Sequence, residues 1–211
     1  MASKKSPLSK NAIIVLAFAA MAAGFWLATM LKTPNREDPS QIQGAILHTP
    51  RQIAMPELIR HDGQAFTNED LKDRWTLVFF GYTSCPDICP VTMNVLAEAK
   101  KKADDEFPQV VLVSVDPQRD SVEMLGEYVH YFDPDFIGVT GDDSMIQALT
   151  LQMSVVYMKM PGASGNENDY LVDHSSSVMM INPEGQLVAF LRAPHTPSSI
   201  NESVDAVRGL Y

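Results

Sequence analysis

The sequence predicts an α/β domain on a mainly parallel sheet covered on both faces, preceded by one helix able to cross a bilayer. Three observations predict it. Short unbroken apolar runs, such as 76–80 (TLVFF) and 110–115 (VVLVSV), read as strands buried on both faces. Segments of helical periodicity stand between them. The 20 residues from Ala12 to Leu31 carry no charge. At ~1.5 Å per residue they cover about 30 Å, the hydrocarbon thickness of a membrane.

The elements follow in order. Residues 1–10 hold Lys4, Lys5 and Lys10, which by the positive-inside bias place the N-terminus in the cytoplasm. Residues 11–31 are the anchor; the run exceeds the ~7–15 apolar residues of a signal peptide, and no small-x-small cleavage site follows it. A mitochondrial presequence would be amphipathic and rich in Arg, so the expectation is a single pass through a bacterial inner membrane with the remainder periplasmic. Residues 32–50, with Pro34, Pro39 and Pro50, read as a periplasmic tether.

From 51 to 211 the chain reads as one folded domain. Residues 53–58 with the turn His61-Asp62-Gly63-Gln64 predict a hairpin. Strands are predicted at 76–80, 110–115, 137–140 and 155–160, and helices at 91–102, 121–131 and 142–151. Residues 160–169 (MPGASGNEND) read as a polar loop. Strands at 178–181 and 187–191 flank the turn Asn182-Pro183-Glu184-Gly185 as a hairpin that adds an antiparallel edge, and Thr196-Pro197 opens a last helix with Pro at its first position.

The formal net charge is −10, from 16 basic and 26 acidic residues. The four lysines up to Lys32 precede every acidic residue, so the part beyond carries 12 basic against 26 acidic residues, or −14. That surface excludes nucleic-acid binding, which needs a basic face; solubility accounts for it.

The chemistry-bearing motif is Gly81-Tyr82-Thr83-Ser84-Cys85-Pro86-Asp87-Ile88-Cys89-Pro90, which contains both cysteines of the chain. It joins a buried strand to a helix, the crevice position where α/β sheets place ligands. Pro90 suits the first helical position, which puts Cys89 near the N-cap, where the positive helix end favours thiolate. A structural disulfide is the plain alternative, but closing so short a loop contributes only about 2 kcal/mol, against about 4.7 for a 100-residue loop. A redox pair and a metal pair both remain open. Three residues intervene, one more than in the usual thioredoxin-type pair. Two thiolates with an imidazole select copper(I) or zinc. His174, between the polar loop and the apolar strand 178–181, is the best third ligand; His48, His61, His130 and His195 lack such a setting. Asp116, at the carboxyl end of the second buried strand, is a candidate to orient a ligand or tune the thiolates, with a turn cap before Pro117 as the alternative. Of the 12 methionines, Met93 follows Cys89 by four and Met158 and Met160 share a strand face, though core filling is the default for the residue.

The run GYTSCPDICP, then VSVDPQRD at 114–120 with its leading Val113, then DHSSS and the turn NPEG, resembles the Sco/SenC family over roughly residues 45–208 together with the N-terminal anchor. The resemblance implies a thioredoxin-like fold with an inserted hairpin, and copper chaperones for the copper A centre of cytochrome c oxidase. It implies that Cys85, Cys89 and His174 bind a copper ion and that Cys85 and Cys89 can form a redox-active disulfide. The implied partner is the copper A-containing oxidase subunit, with a periplasmic thiol reductant or copper donor upstream. The segment Ser175-Ser176-Ser177-Val178-Met179-Met180 lacks the family's usual tyrosine before the final strands. Carrying a metal breaks no substrate bond, so the expectation is a carrier rather than an enzyme. A thiol–disulfide reductase acting on the oxidase cysteines is the alternative. A peroxidase is disfavoured, since no third cysteine exists to resolve it.

Overall fold

The computed structural model describes residues 11, 16, 18–24, 26, 42–103, 106–162 and 170–211. The chain divides into two units, Met1–Arg36 and Glu37–Tyr211. In the first, the described residues are helical and exposed. Most of the anchor expected at 11–31 lies outside the described residues; among the described ones no helix is long and apolar enough to cross a membrane.

The second unit carries ten strands among the described residues: β1 Gly44–Gln52, β2 Leu58–Arg60, β3 Ala65–Phe66, β4 Thr76–Gly81, β5 Gln109–Ser114, β6 Ile137–Thr140, β7 Tyr157–Pro161, β8 Tyr170–His174, β9 Val178–Ile181 and β10 Gln186–Leu191. Between them run α1 Ile88–Lys102, α2 Val122–Phe132 and α3 Asp143–Gln152, and α4 Pro197–Arg208 closes the chain. Eight strands form one sheet in the order β1-β10-β9-β4-β5-β6-β2-β3, while β7 and β8 pair as a separate hairpin.

Among the described residues only β4–β5 and β5–β6 are parallel; β9, β10 and β1 on one side and β2 and β3 on the other add antiparallel pairs. The mainly parallel sheet predicted from the apolar runs is therefore confined to the centre. An unbroken apolar run reports burial on both faces, as in β4 and β9, where every residue is buried. It carries no information about strand direction.

A second difference lies at the start. Residues 44–52, most of them read as tether, form β1, which pairs with β10 from Gly44↔Leu191 to Gln52↔Gln186. Gly44 allows the close approach, since a Cβ there would lie 1.9 Å from the Phe190 carbonyl oxygen. Edge pairing of this kind rests on backbone hydrogen bonds and leaves little mark in side-chain periodicity. The first predicted hairpin forms one strand later, β2–β3, around Gly63 at φ 82. Its turn is closed by Gly63 N–H donating to the Arg60 carbonyl at 2.9 Å.

The sheet is packed on both faces, with Leu77, Phe79, Leu112, Val139 and Met180 among the fully buried side chains. Helix α1 buries Cys89, Met93, Leu96, Ala97 and Ala99 and ends on Lys100, Lys101 and Lys102, cations at the negative end of its dipole. The carboxyl ends of β4 and β5, tied by Val115 N–H to the Gly81 carbonyl at 2.9 Å, present the loop 82–87 that leads into α1.

Candidate metal and thiol site

The two cysteines sit on either side of the start of α1. Asp87 is the N-cap and Ile88 the first helical residue, so Cys89 lies inside the first turn, two positions beyond the sequence-based placement. Pro90 follows it, where its missing N–H is one the helix leaves unpaired in any case. Cys89 is fully buried and Cys85 half-buried. Gly81 makes room, since a Cβ there would come to 3.0 Å from Cys89 Sγ and 3.1 Å from Leu112 Cδ1.

His174 ends β8, opposite Tyr157 on β7. Its Nε2 lies 3.2 Å from Cys89 Sγ. Its Nδ1 lies 3.1 Å from the Ser175 carbonyl oxygen. A carbonyl only accepts, so Nδ1 carries a proton, and Nε2 faces the sulfurs. The rings of Phe79 and Tyr82 stand edge-on to the imidazole at centroid distances of 5.8 and 5.9 Å. The donor atoms of Cys85, Cys89 and His174 all lie within 4.8 Å of one another. The structure thus brings together the three residues singled out in the sequence, from positions 85 to 174.

Both cysteines are free thiols, and they are electrostatically unequal. A hydrogen bond from Cys89 pulls the Cys85 thiol far below its ordinary range against the opposing effect of burial, helped by the His174 ring and by the backbone N–H groups of Asp87 and Cys89. The same bond to Cys85, and then burial, push Cys89 up. The lowered thiol pKa that the helix start was expected to produce at Cys89 therefore falls to Cys85.

Asp116 is fully buried, but its side chain turns to the hairpin. It accepts from Arg119 Nε and, at 2.7 Å, from the Tyr170 hydroxyl, and Lys159 Nζ lies 3.9 Å away. Arg119 lies over the Tyr170 ring at 3.7 Å and donates to the Tyr170 carbonyl at 3.0 Å. Asp116 thus holds the root of β8, the strand that ends in His174.

Sequence reasoning missed two residues of the site. Asp120, 1% exposed, accepts from Thr83 N–H at 3.1 Å, from Thr83 Oγ1 at 2.6 Å and from Ser114 Oγ at 2.7 Å, which pins the cysteine loop to the end of β5. Burial raises its pKa against those bonds. Directly before the cap of α2, it reads in sequence like any solvated acid. Tyr82 accepts through its hydroxyl from Val172 N–H at 3.2 Å, tying the loop to β8, and burial pushes its pKa up.

The other histidines lie elsewhere. His61 and His130 make an edge contact at 4.6 Å, and His195 Nε2 donates to the Ser176 carbonyl at 2.9 Å. His48 lies on edge strand β1. Met93 is fully buried, while Met158 and Met160 are exposed.

The SCO1/SenC family model matches residues 49–208. An SCO2-like protein of Rickettsia felis is 33% identical over 195 residues, 90% of this chain and 93% of the relative. Among solved structures, Arabidopsis thaliana ScoI with copper bound is 36% identical, with a TM-score of 0.66 over 77% of this chain and 96% of that one. Bradyrhizobium japonicum ScoI with copper bound is 33% identical, with a TM-score of 0.60 over 74% of this chain and 98% of that one.

Proposed function

The chain belongs to the SCO1/SenC family, and from that premise we propose that it is a copper carrier whose cargo is held by Cys85, Cys89 and His174. The observation that carries the reading is the convergence of two sulfurs and an imidazole nitrogen within 4.8 Å. Two soft thiolates and one imidazole suit copper(I). The set fits the ion on a further count: Nδ1 of His174 bonds a backbone carbonyl, which orients a ligating ring and leaves Nε2 free. Relatives of the same fold carry copper, as ScoI of Arabidopsis thaliana and of Bradyrhizobium japonicum do.

The carrier receives copper from a donor and gives it to the copper A-containing subunit of cytochrome c oxidase. Three protein ligands leave copper(I) open to attack by an acceptor's ligand, so the ion passes by exchange with no bond of a substrate broken. The protein works at the outer face of a bacterial inner membrane, anchored through residues 11–31 and tethered by the segment that follows. Anchoring raises its effective concentration near an oxidase in the same membrane.

A second reading has its own support. Cys85 is the more exposed cysteine and has the depressed pKa, as an attacking thiolate requires. In that reading the pair reduces the oxidase's copper-binding cysteines before they take up metal, and a periplasmic thiol donor restores it. The two readings separate in cells that lack the native protein and express variants. For a carrier, Cys85→Ser and His174→Ala both abolish copper A assembly. For a reductase, Cys85→Ser abolishes it and His174→Ala does not. The carrier account predicts the first pattern, and normal copper A centres with His174→Ala would overturn it.

A further inference from the structure

Met158 and Met160 lie two residues apart on β7, so their side chains leave the same face of the hairpin. Contacts on the other face show which way they point. Lys159, between them, reaches Gln118 Oε1 at 3.0 Å and lies 4.9 Å from the Tyr170 ring, against the body of the domain. His174, opposite Tyr157, turns towards Cys89. The methionines accordingly face solvent, 60% and 45% exposed. Across the hairpin they meet Asp173, opposite Met158, and Leu171, opposite Met160.

Methionine ordinarily fills cores, and Met93, Met153, Met179 and Met180 do so here, each fully buried. Packing does not account for the outward pair. Its chemistry does. A thioether is a soft donor that selects copper(I) over harder ions. It has no proton to lose, so acid does not compete with the metal. It takes no part in the thiol–disulfide couple, so it remains a ligand when the cysteines are oxidised. Two residues of strand separate the Cα atoms by about 6.5 Å, and three rotatable bonds in each side chain let both sulfurs close on one ion.

We propose that Met158 and Met160 form a second, weaker copper(I) site on the outer face of the β7–β8 hairpin, open whichever redox state Cys85 and Cys89 are in. It rests on the copper-carrier reading for its metal. The site lies on the hairpin whose inner face carries His174, so it holds copper(I) beside the main site while the disulfide form awaits reduction.

The test uses the full-length protein with methyl-labelled methionines and silver(I), a redox-inert stand-in for copper(I), in chloride-free buffer. In the Cys85–Cys89 disulfide form, one equivalent of silver(I) shifts the methyl signals of Met158 and Met160 together, in a saturable step. Met124, 44% exposed on α2, stays put and serves as the internal control. The double variant Met158→Leu, Met160→Leu loses the step. In the reduced protein the first equivalent goes to the cysteines and His174, and the methionine methyls move only with the second. Absence of any methyl shift in the disulfide form would overturn the proposal, as would parallel movement of Met124. A methionine response that persists while the reduced protein shows no cysteine or His174 response would overturn the carrier reading and leave this site standing.

Discussion

At Cys85 and Cys89, four residues apart, identical side chains acquire opposite character. Cys85 is half-buried at the loop surface, within reach of the first backbone N–H groups of α1, while Cys89 is enclosed by the sheet and the helix. The hydrogen bond between the sulfurs lowers the pKa of Cys85 and raises that of Cys89. A lowered thiol pKa means that the nucleophilic form persists as pH falls, far below the ordinary thiol value of about 8.5. Alkylation of the reduced protein by iodoacetamide, followed by peptide mass, is therefore expected to modify Cys85 at pH 5–6 at a rate little changed from pH 8. Cys89 reacts only after Cys85 is blocked. A Cys85 rate that falls tenfold per pH unit below 8 would contradict this assignment.

At the scale of elements, the site depends on how β8 is held. The strand carries His174 at one end and Tyr170 at the other, and Asp116, Arg119 and Tyr82 bind it to the carboxyl ends of β5 and β4. Removing one partner of a buried ion pair leaves the other charge uncompensated. Arg119→Ala is expected to destabilise the protein by roughly 3 kcal/mol, at the low end for a buried pair because Arg119 is a quarter exposed. Adding Asp116→Asn removes the stranded charge, so the double variant is more stable than Arg119→Ala alone. Urea denaturation reads both, and strictly additive effects would show that the pair is not coupled. This clamp also marks what the sequence could not display. The cysteine motif was legible because it is local, and His174 because a lone histidine between a polar loop and an apolar strand stands out. Arg119 and Tyr170 are 51 residues apart, as Thr83 and Asp120 are 37 apart. Local periodicity tells a residue which face it occupies and not which partner it meets. The same limit hid the pairing of β1 with β10 and the way the two hairpins join the central strands, while strands β4, β5 and β6 and the four α-helices described in the domain were readable within a few residues.

For the whole molecule, an acidic domain carries a cluster of two sulfurs and an imidazole in which Cys89 is buried and Cys85 and His174 are half-buried. The part beyond Lys32 carries 12 basic against 26 acidic residues, or −14, and in the carrier reading the selection of a soft ion rests on three donors. In the carrier reading those donors hold copper(I), and ligand counting on the protein itself is the test. The reduced protein is titrated anaerobically with copper(I) and the loaded form measured by X-ray absorption. A carrier of this kind shows one tight equivalent with two sulfur neighbours and one nitrogen neighbour, loss of the nitrogen in His174→Ala, and loss of that tight equivalent when Cys85 and Cys89 are joined as a disulfide. A tight equivalent of unchanged affinity in the disulfide form, or one whose neighbours do not change in His174→Ala, would contradict it.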